Sequence, residues 1–284
     1  MPLSKEIRDI LEEHVHRLVR EKERAKSKNS KGPLGYKLDF IRRWVLLHGL
    51  ANFSNPMPKC RLSADDRVLL YCNSYMEMHI KDTIIILKKR TPDIKQGIAD
   101  LFEGNTTVLD FGCGPATACL ALADQFRNKK FSYYGIDQAK PMLNKAKFIW
   151  DAAVESSLID NTSKAKFFTH WEDIDPNEIE GNVLLVCSYF FASMSLGAQK
   201  LQSLKRFIDS ISENANGRVE LLYVNSPKPS AIEKYTKFRN LMGIEDEPRY
   251  QNKRTAYQLI DLNPEPPPEE APAEEVEEGA IEPT

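Results

Sequence analysis

Two glycines and two carboxylates are the residues of this chain best spaced to do chemistry. The segment Val108-Leu109-Asp110-Phe111-Gly112-Cys113-Gly114-Pro115-Ala116-Thr117 reads as an apolar strand that enters Gly112-x-Gly114 and then a helix. Glycines at such a turn let the backbone bend tightly and approach a ligand where a side chain would stand in the way. The helix that follows offers unpaired N–H groups at the same spot. The next strand, Tyr133-Tyr134-Gly135-Ile136-Asp137, ends in an acid 25 residues after Gly112. A carboxylate there can accept hydrogen bonds from both ribose hydroxyls, as in dinucleotide folds where the spacing is roughly 20 residues. Each signal is weak alone; arriving together in one strand–turn–helix–strand unit, they point to a nucleoside-containing ligand. A nicotinamide dinucleotide site would carry a third small residue where this chain has Thr117, and an apolar residue in place of Asp110.

The elements that must position these groups follow from the apolar pattern. Short apolar runs at Val108–Phe111, Phe131–Ile136, Ala165–Thr169, Val183–Tyr189 and Val219–Val224 predict strands. Helical patterns at Ala116–Phe126, Ala139–Glu155, Gly197–Asn214 and Ser230–Met242 lie between most of them, and Arg254–Leu262 adds an edge strand. Such alternation predicts an α/β fold, a doubly wound, mostly parallel sheet covered by helices on both faces. Residues 1–103 read as a helical region: a helix from Ile7 to Val19, a second from Tyr36 to about Leu50, and a third from Ser63 towards Lys89. Ser63 and Asp66 have the spacing of a capping box. The sheet domain is expected over 104–262, and 263–284, with six prolines and eight glutamates, cannot bury enough apolar surface to order itself.

Composition narrows the classes. No segment approaches the ~20 apolar residues of a membrane-spanning helix, and the N-terminus has no apolar leader core, so a cytoplasmic protein is expected. Cys60, Cys72, Cys113, Cys119 and Cys187 have no zinc-like spacing and read as packed, reduced thiols. No metal is expected. Without the acidic tail the chain has 39 basic and 33 acidic residues. Lys26, Lys28, Lys31, Lys37, Arg42 and Arg43 interleave with Tyr36, Phe40 and Trp44, a composition that suits single-stranded nucleic acid. The helical spacing of those aromatics instead favours a solvated basic loop beside a packed helix.

The segments 108–117 and GIDQAKPMLNKAK, 135–147, resemble the first and second motifs of class I (Rossmann-like) S-adenosylmethionine-dependent methyltransferases, and the resemblance spans roughly 104–262. It implies S-adenosylmethionine as cofactor. Asp110 would organise the turn or face the methionine amino group, and Gly112, Cys113 and Gly114 would pass beneath the methionine. Asp137 would hold the ribose, with Gln138 and Met142 beside the adenine. Glu172 or Asp173 would receive the adenine amino group, with Trp171 a stacking face or a plain core residue. Ser188 and Tyr189, ending the fourth strand, would line the methyl-acceptor pocket. The family's amino-methylating members carry an Asp/Asn/Ser-Pro-Pro-Tyr/Phe segment there; Ser188-Tyr189-Phe190-Phe191 lacks the prolines, which puts adenine or cytosine amino methylation in doubt. The SYFFAS segment, 188–193, and the helical N-terminal region loosely resemble the ribosomal small-subunit methyltransferase-like group, whose cysteine cluster is absent. The methyl acceptor stays open among RNA, protein and small molecules, and Tyr189 or His170 is the candidate base. Two other readings are a non-catalytic S-adenosylmethionine-binding or scaffold protein and an NAD-dependent oxidoreductase.

Overall fold

A computed structural model describes residues 2–26, 32–89, 92–244, 250–251 and 255–263. The acidic tail read as unable to order itself lies, from 264 on, outside the described residues, as do Lys28, Lys31 and Arg254. Seven strands form one sheet: β1 (Thr106–Phe111), β2 (Ser132–Ile136), β3 (Lys164–Phe168), β4 (Asn182–Ser188), β5 (Val219–Asn225), β6 (Tyr250–Gln251) and β7 (Ala256–Asp261), in the order β3-β2-β1-β4-β5-β7-β6. The five strands from β3 to β5 are parallel, and β7 joins β5 antiparallel. All six residues of β1 and all seven of β5 are buried, which explains why their apolar residues do not alternate with exposed polar ones: a strand with helices on both faces has no solvent side.

The order reverses direction at β1, whose neighbours are β2 and β4. Helices leaving β1 and β4 therefore diverge to opposite faces, opening a crevice at the carboxyl ends of these strands. Register sets what meets there. Phe111 pairs with Ile136 and Asp110 with Val186. The ladders of β1 end at these pairs, so the turn at Gly112 leaves the sheet at the same edge as Asp137 and Ser188.

The N-terminal helices complete the roof. Residues 5–26 form a helix with a π turn at Glu12–His16. A second long helix spans Ala64–Tyr71, a π turn at Cys72–Met76, and Glu77–Lys89. The expected capping box starts it, with Asp66 N–H donating to Ser63 Oγ at 3.0 Å and Ser63 N–H to Asp66 Oδ2 at 3.1 Å. One apolar core runs from Leu3 and Ile7 through Ile80 and Ile84 to Val108, Met142 and Tyr257, so these helices share their buried face with the sheet. Among the described residues no helix is long and apolar enough to cross a membrane.

The expected Tyr36–Leu50 helix is shorter than its pattern suggested. Helical turns cover Leu38–Phe40 and Ile41–Val45, and the chain then breaks where Leu47, His48 and Gly49 take φ of 45°, 57° and 92°. Arg67 holds the loop that results. Its guanidinium donates to the carbonyls of Asn55 at 2.7 Å, Asn52 at 2.8 Å and Val45 at 3.1 Å, and lies over the Phe53 ring. Arg67→Ala leaves three carbonyls without this charged donor and should cost about 2–4 kcal/mol in urea unfolding. A loss below about 0.5 kcal/mol, the range of an ordinary surface change, would contradict that role.

Candidate cofactor and acceptor site

The glycine turn and the second-strand acid are joined directly. Gly112 and Gly114 adopt φ of +67° and +53°, the left-handed region that side chains resist. Gly114 N–H donates to Asp137 Oδ2 at 3.1 Å, Ala139 N–H donates to Oδ1 at 2.8 Å, and Cys113 N–H reaches the Ile136 carbonyl at 3.0 Å. A carboxylate has about four lone-pair sites, so Asp137 keeps acceptor capacity for a ribose diol. A Cβ added at Gly114 would meet nothing within 4 Å, whereas one at Gly112 would stand 3.0 Å from the Phe190 ring. The turn is thus packed on one side and open on the other.

Beneath it, Asp110 is buried at 1% exposure. Tyr133 donates its hydroxyl to Asp110 Oδ2 at 2.8 Å, while Oδ1 is buried without a hydrogen-bond partner. An orphaned buried carboxylate oxygen is expensive and is the natural receiver of an ammonium group. Burial raises the Asp110 carboxyl to about 7 against the opposing Tyr133 hydrogen bond, with the Asp137 charge adding to the rise. Burial also lifts Asp137 to about 6, against the pull of the Ala139 and Gly114 N–H groups. The open cradle at Gly114, the spare capacity of Asp137 and the unpaired Asp110 oxygen fit a nucleoside carrying an amino acid.

The remaining sequence candidates fall in three places. Met142 is buried in the first turn of the helix Lys140–Glu155, Gln138 is exposed just before it, and the buried Cys113 thiol is pushed well up by burial. Trp171 is buried in the core on the opposite side of the sheet, edge-on to Phe111 and Phe190 at 6.3 and 6.4 Å, with its indole N–H donating to Ser203 Oγ at 3.0 Å. Glu172 accepts from Ser203 at 2.5 Å and, like Asp173, is exposed. Ser188 and Tyr189 stand half-buried at the end of β4. Cys187 is a buried thiol, and His170 lies on the β3 side, outside the group that gathers around Tyr189.

That group was not anticipated. Tyr189 takes φ of +59°, which turns its side chain towards the Ala64–Lys89 helix. Its hydroxyl donates to Asp82 Oδ2 at 3.0 Å, and its ring stacks on His79 at 4.0 Å and 18°. His79 stacks in turn on Tyr75 at 6.0 Å and 16°, and Tyr71 approaches His79 Nδ1 at 3.4 Å. Burial, with smaller contributions from Cys72 and Asp137, raises the Tyr71 hydroxyl. Burial drives His79 down to about 4, leaving the imidazole neutral at physiological pH. Residues four apart drift about 40° around a regular helix; the wider π turn at Cys72–Met76 takes back part of that drift and keeps Tyr71, Tyr75 and His79 in one row. Their spacing of four was visible in the sequence, but it reads as an ordinary core face.

Residues 102–163 match the family model of a methyltransferase domain. Solved structures similar to this chain include an S-adenosylmethionine-dependent methyltransferase from Aquifex aeolicus, at 18% identity over 63% of this chain and 96% of that one, with a TM-score of 0.38. A precorrin-6y C5,15-methyltransferase from Geobacter metallireducens is 12% identical over 61% and 90%, with a TM-score of 0.35. An arsenic(III) S-adenosylmethionine methyltransferase from Chlamydomonas reinhardtii is 16% identical over 63% and 72%, with a TM-score of 0.38. No curated protein matches the sequence closely enough to count as a relative. The matched segment contains the unit that joins Gly114 to Asp137, so this part of the chain is similar to a methyltransferase domain.

Proposed function

We propose that this site methylates a flat, aromatic acceptor admitted between the Ala64–Lys89 helix and the end of β4. The observation that carries this reading is the row of near-parallel rings Tyr75, His79 and Tyr189, whose last member directly precedes Phe190, the ring packed against Gly112. A planar ring extends such a stack with favourable offset geometry. In this reading Asp137 holds the ribose, Asp110 Oδ1 the methionine ammonium, Gly112 to Gly114 the methionine chain, and Gln138 and Met142 flank the adenine.

Bound there, S-adenosylmethionine supplies a methyl carbon already activated by its sulfonium. The chain's task is then to orient and to exclude water. Tyr189, fixed by Asp82 and by the His79 ring, sets the angle of the acceptor, and holding a nucleophile in line within about 3–3.5 Å is worth orders of magnitude in rate. A neutral His79 presents no positive charge to an electrophilic methyl group. A general base is needed only where the acceptor carries its proton at neutral pH.

Methyl-tritiated cofactor incubated with separated RNA, protein and small-molecule fractions tests this directly. Label is expected on a heteroaromatic ring, and Tyr189→Phe should lower turnover roughly 10-fold by loosening the acceptor wall, with cofactor affinity unchanged. Cofactor binding without label in any fraction would overturn the reading.

A further inference from the structure

The segment 36–62 carries five basic residues, Lys37, Arg42, Arg43, Lys59 and Arg61, against one acid, Asp39. All five are exposed, and among the described residues none lies within ion-pair distance of a carboxylate. Between them stands Trp44, 60% exposed, whereas Trp150 and Trp171 are 7% and 5% exposed. The core therefore takes up only part of the aromatic set: Tyr36 and Phe40 stack at 5.4 Å and pack partly against it, while Trp44 faces solvent. An indole left in water beside two arginines is a stacking platform next to phosphate-binding charge.

The surface is continuous with the candidate acceptor site. Tyr36 donates its hydroxyl to the Cys60 carbonyl at 2.5 Å, which brings the Lys59–Arg61 turn against the Tyr36–Phe40 pair. At the other end the Val45 carbonyl, next to Trp44, accepts from Arg67 of the Ala64–Lys89 helix at 3.1 Å, and the Phe53 ring meets Tyr71 at 5.2 Å, from which the rings continue through Tyr75 and His79 to Tyr189. Basic groups outside and parallel rings inside form one path.

Resting on the methyl-transfer reading above, we propose that the Arg42–Arg43–Trp44 face binds a single-stranded nucleic acid and delivers one of its bases to the ring stack at Tyr189. Arginines at successive positions follow the phosphate backbone, and Trp44 stacks a neighbouring base irrespective of its identity. A duplex hides its base faces and gains only the electrostatic part.

Fluorescein-labelled single-stranded RNA of about 20 nucleotides, long enough for such a site, is titrated with the full chain by anisotropy, beside single-stranded DNA of the same sequence and the RNA duplex. Single strands should bind at least 10-fold tighter than the duplex and quench tryptophan emission, and the quench should vanish in Trp44→Phe. Trp44→Ala should weaken binding roughly 5- to 100-fold. Arg42→Glu with Arg43→Glu should weaken it 10-fold or more and flatten the salt dependence by about 0.7 for each phosphate no longer neutralised. S-adenosylhomocysteine affinity, read in parallel, should not move in these variants. RNA binding tighter than DNA, or the reverse, identifies which strand is used. Equal affinity for duplex and single strand, no response of Trp44 emission, or a Trp44-dependent self-association in sedimentation would each overturn the proposal. A chain that binds S-adenosylhomocysteine yet ignores every oligonucleotide keeps the methyl-transfer reading and loses this one; the opposite pattern does the reverse.

Discussion

Replacing Asp137 with alanine is expected to weaken S-adenosylhomocysteine binding roughly 10- to 100-fold, because hydrogen bonds to a charged group contribute about 1.5–3 kcal/mol. The loss has two sources. The ribose hydroxyls lose their acceptor, and the Gly114 and Ala139 N–H groups that the carboxylate ties together at 3.1 and 2.8 Å are released. Affinity should also depend on pH. Asp137 titrates near 6 in the folded chain, and its protonated form loses part of its accepting capacity. Binding should therefore be full above about pH 7 and fall as pH drops through 6. Alanine at 137 should remove the part of that dependence centred near 6 and leave the part due to Asp110, whose carboxyl is raised to about 7. Calorimetric titration across pH 5–8 measures both effects, and an affinity within threefold of the unaltered chain would contradict the ribose assignment.

Asp110→Asn should act in opposite directions on stability and on binding. The folded chain holds the Asp110 proton up to about 7, while the unfolded chain releases it near 3.9. Between those values the folded state binds more protons, so stability is highest at low pH and falls as pH rises through 7. Asparagine cannot ionise, and its carbonyl can still accept from the Tyr133 hydroxyl. At pH 8 the ligand-free variant should melt several degrees higher, since about 1 kcal/mol shifts a chain of this size by roughly 2–4 °C. At pH 5 the difference should be less than half as large, and it should close only below about pH 3.9, where both states hold the proton. Cofactor affinity should meanwhile fall, because the oxygen left unpaired in the fold no longer carries charge for an ammonium group. Such a trade of stability for function is expected of binding sites. Calorimetric melting at the two pH values checks it, and a variant less stable at pH 8 would contradict a charged, costly Asp110.

The sheet was legible because its signals are local. Apolar runs of strand length, two glycines forced into positive φ and a capping pair at Ser63 each leave a mark within a few residues. β6 left none: a two-residue strand exists only because β7 offers it an edge. The Tyr36–Leu50 segment misled because its periodicity is real through Val45, while the break at Leu47 and His48 uses left-handed backbone at non-glycine residues, which no local pattern announces. At the site, Gly114 and Asp137 meet as their spacing implies. The row from Tyr71 to Tyr189 was hidden, because Tyr189 lies more than a hundred residues from the other three and joins them only when the Ala64–Lys89 helix folds over the end of β4. Trp171 shows the converse, since a tryptophan beside acids can look like a ligand face while its indole fills the core.

One titration tests the central claim most directly: S-adenosylhomocysteine and, separately, NAD added to the unaltered full chain in a calorimeter at pH 7.5. One-to-one binding in the micromolar range for the first and no heat for the second is the expected result. Silence from S-adenosylhomocysteine, or a preference for NAD, would mean that the turn joining Gly114 to Asp137 was built for something else.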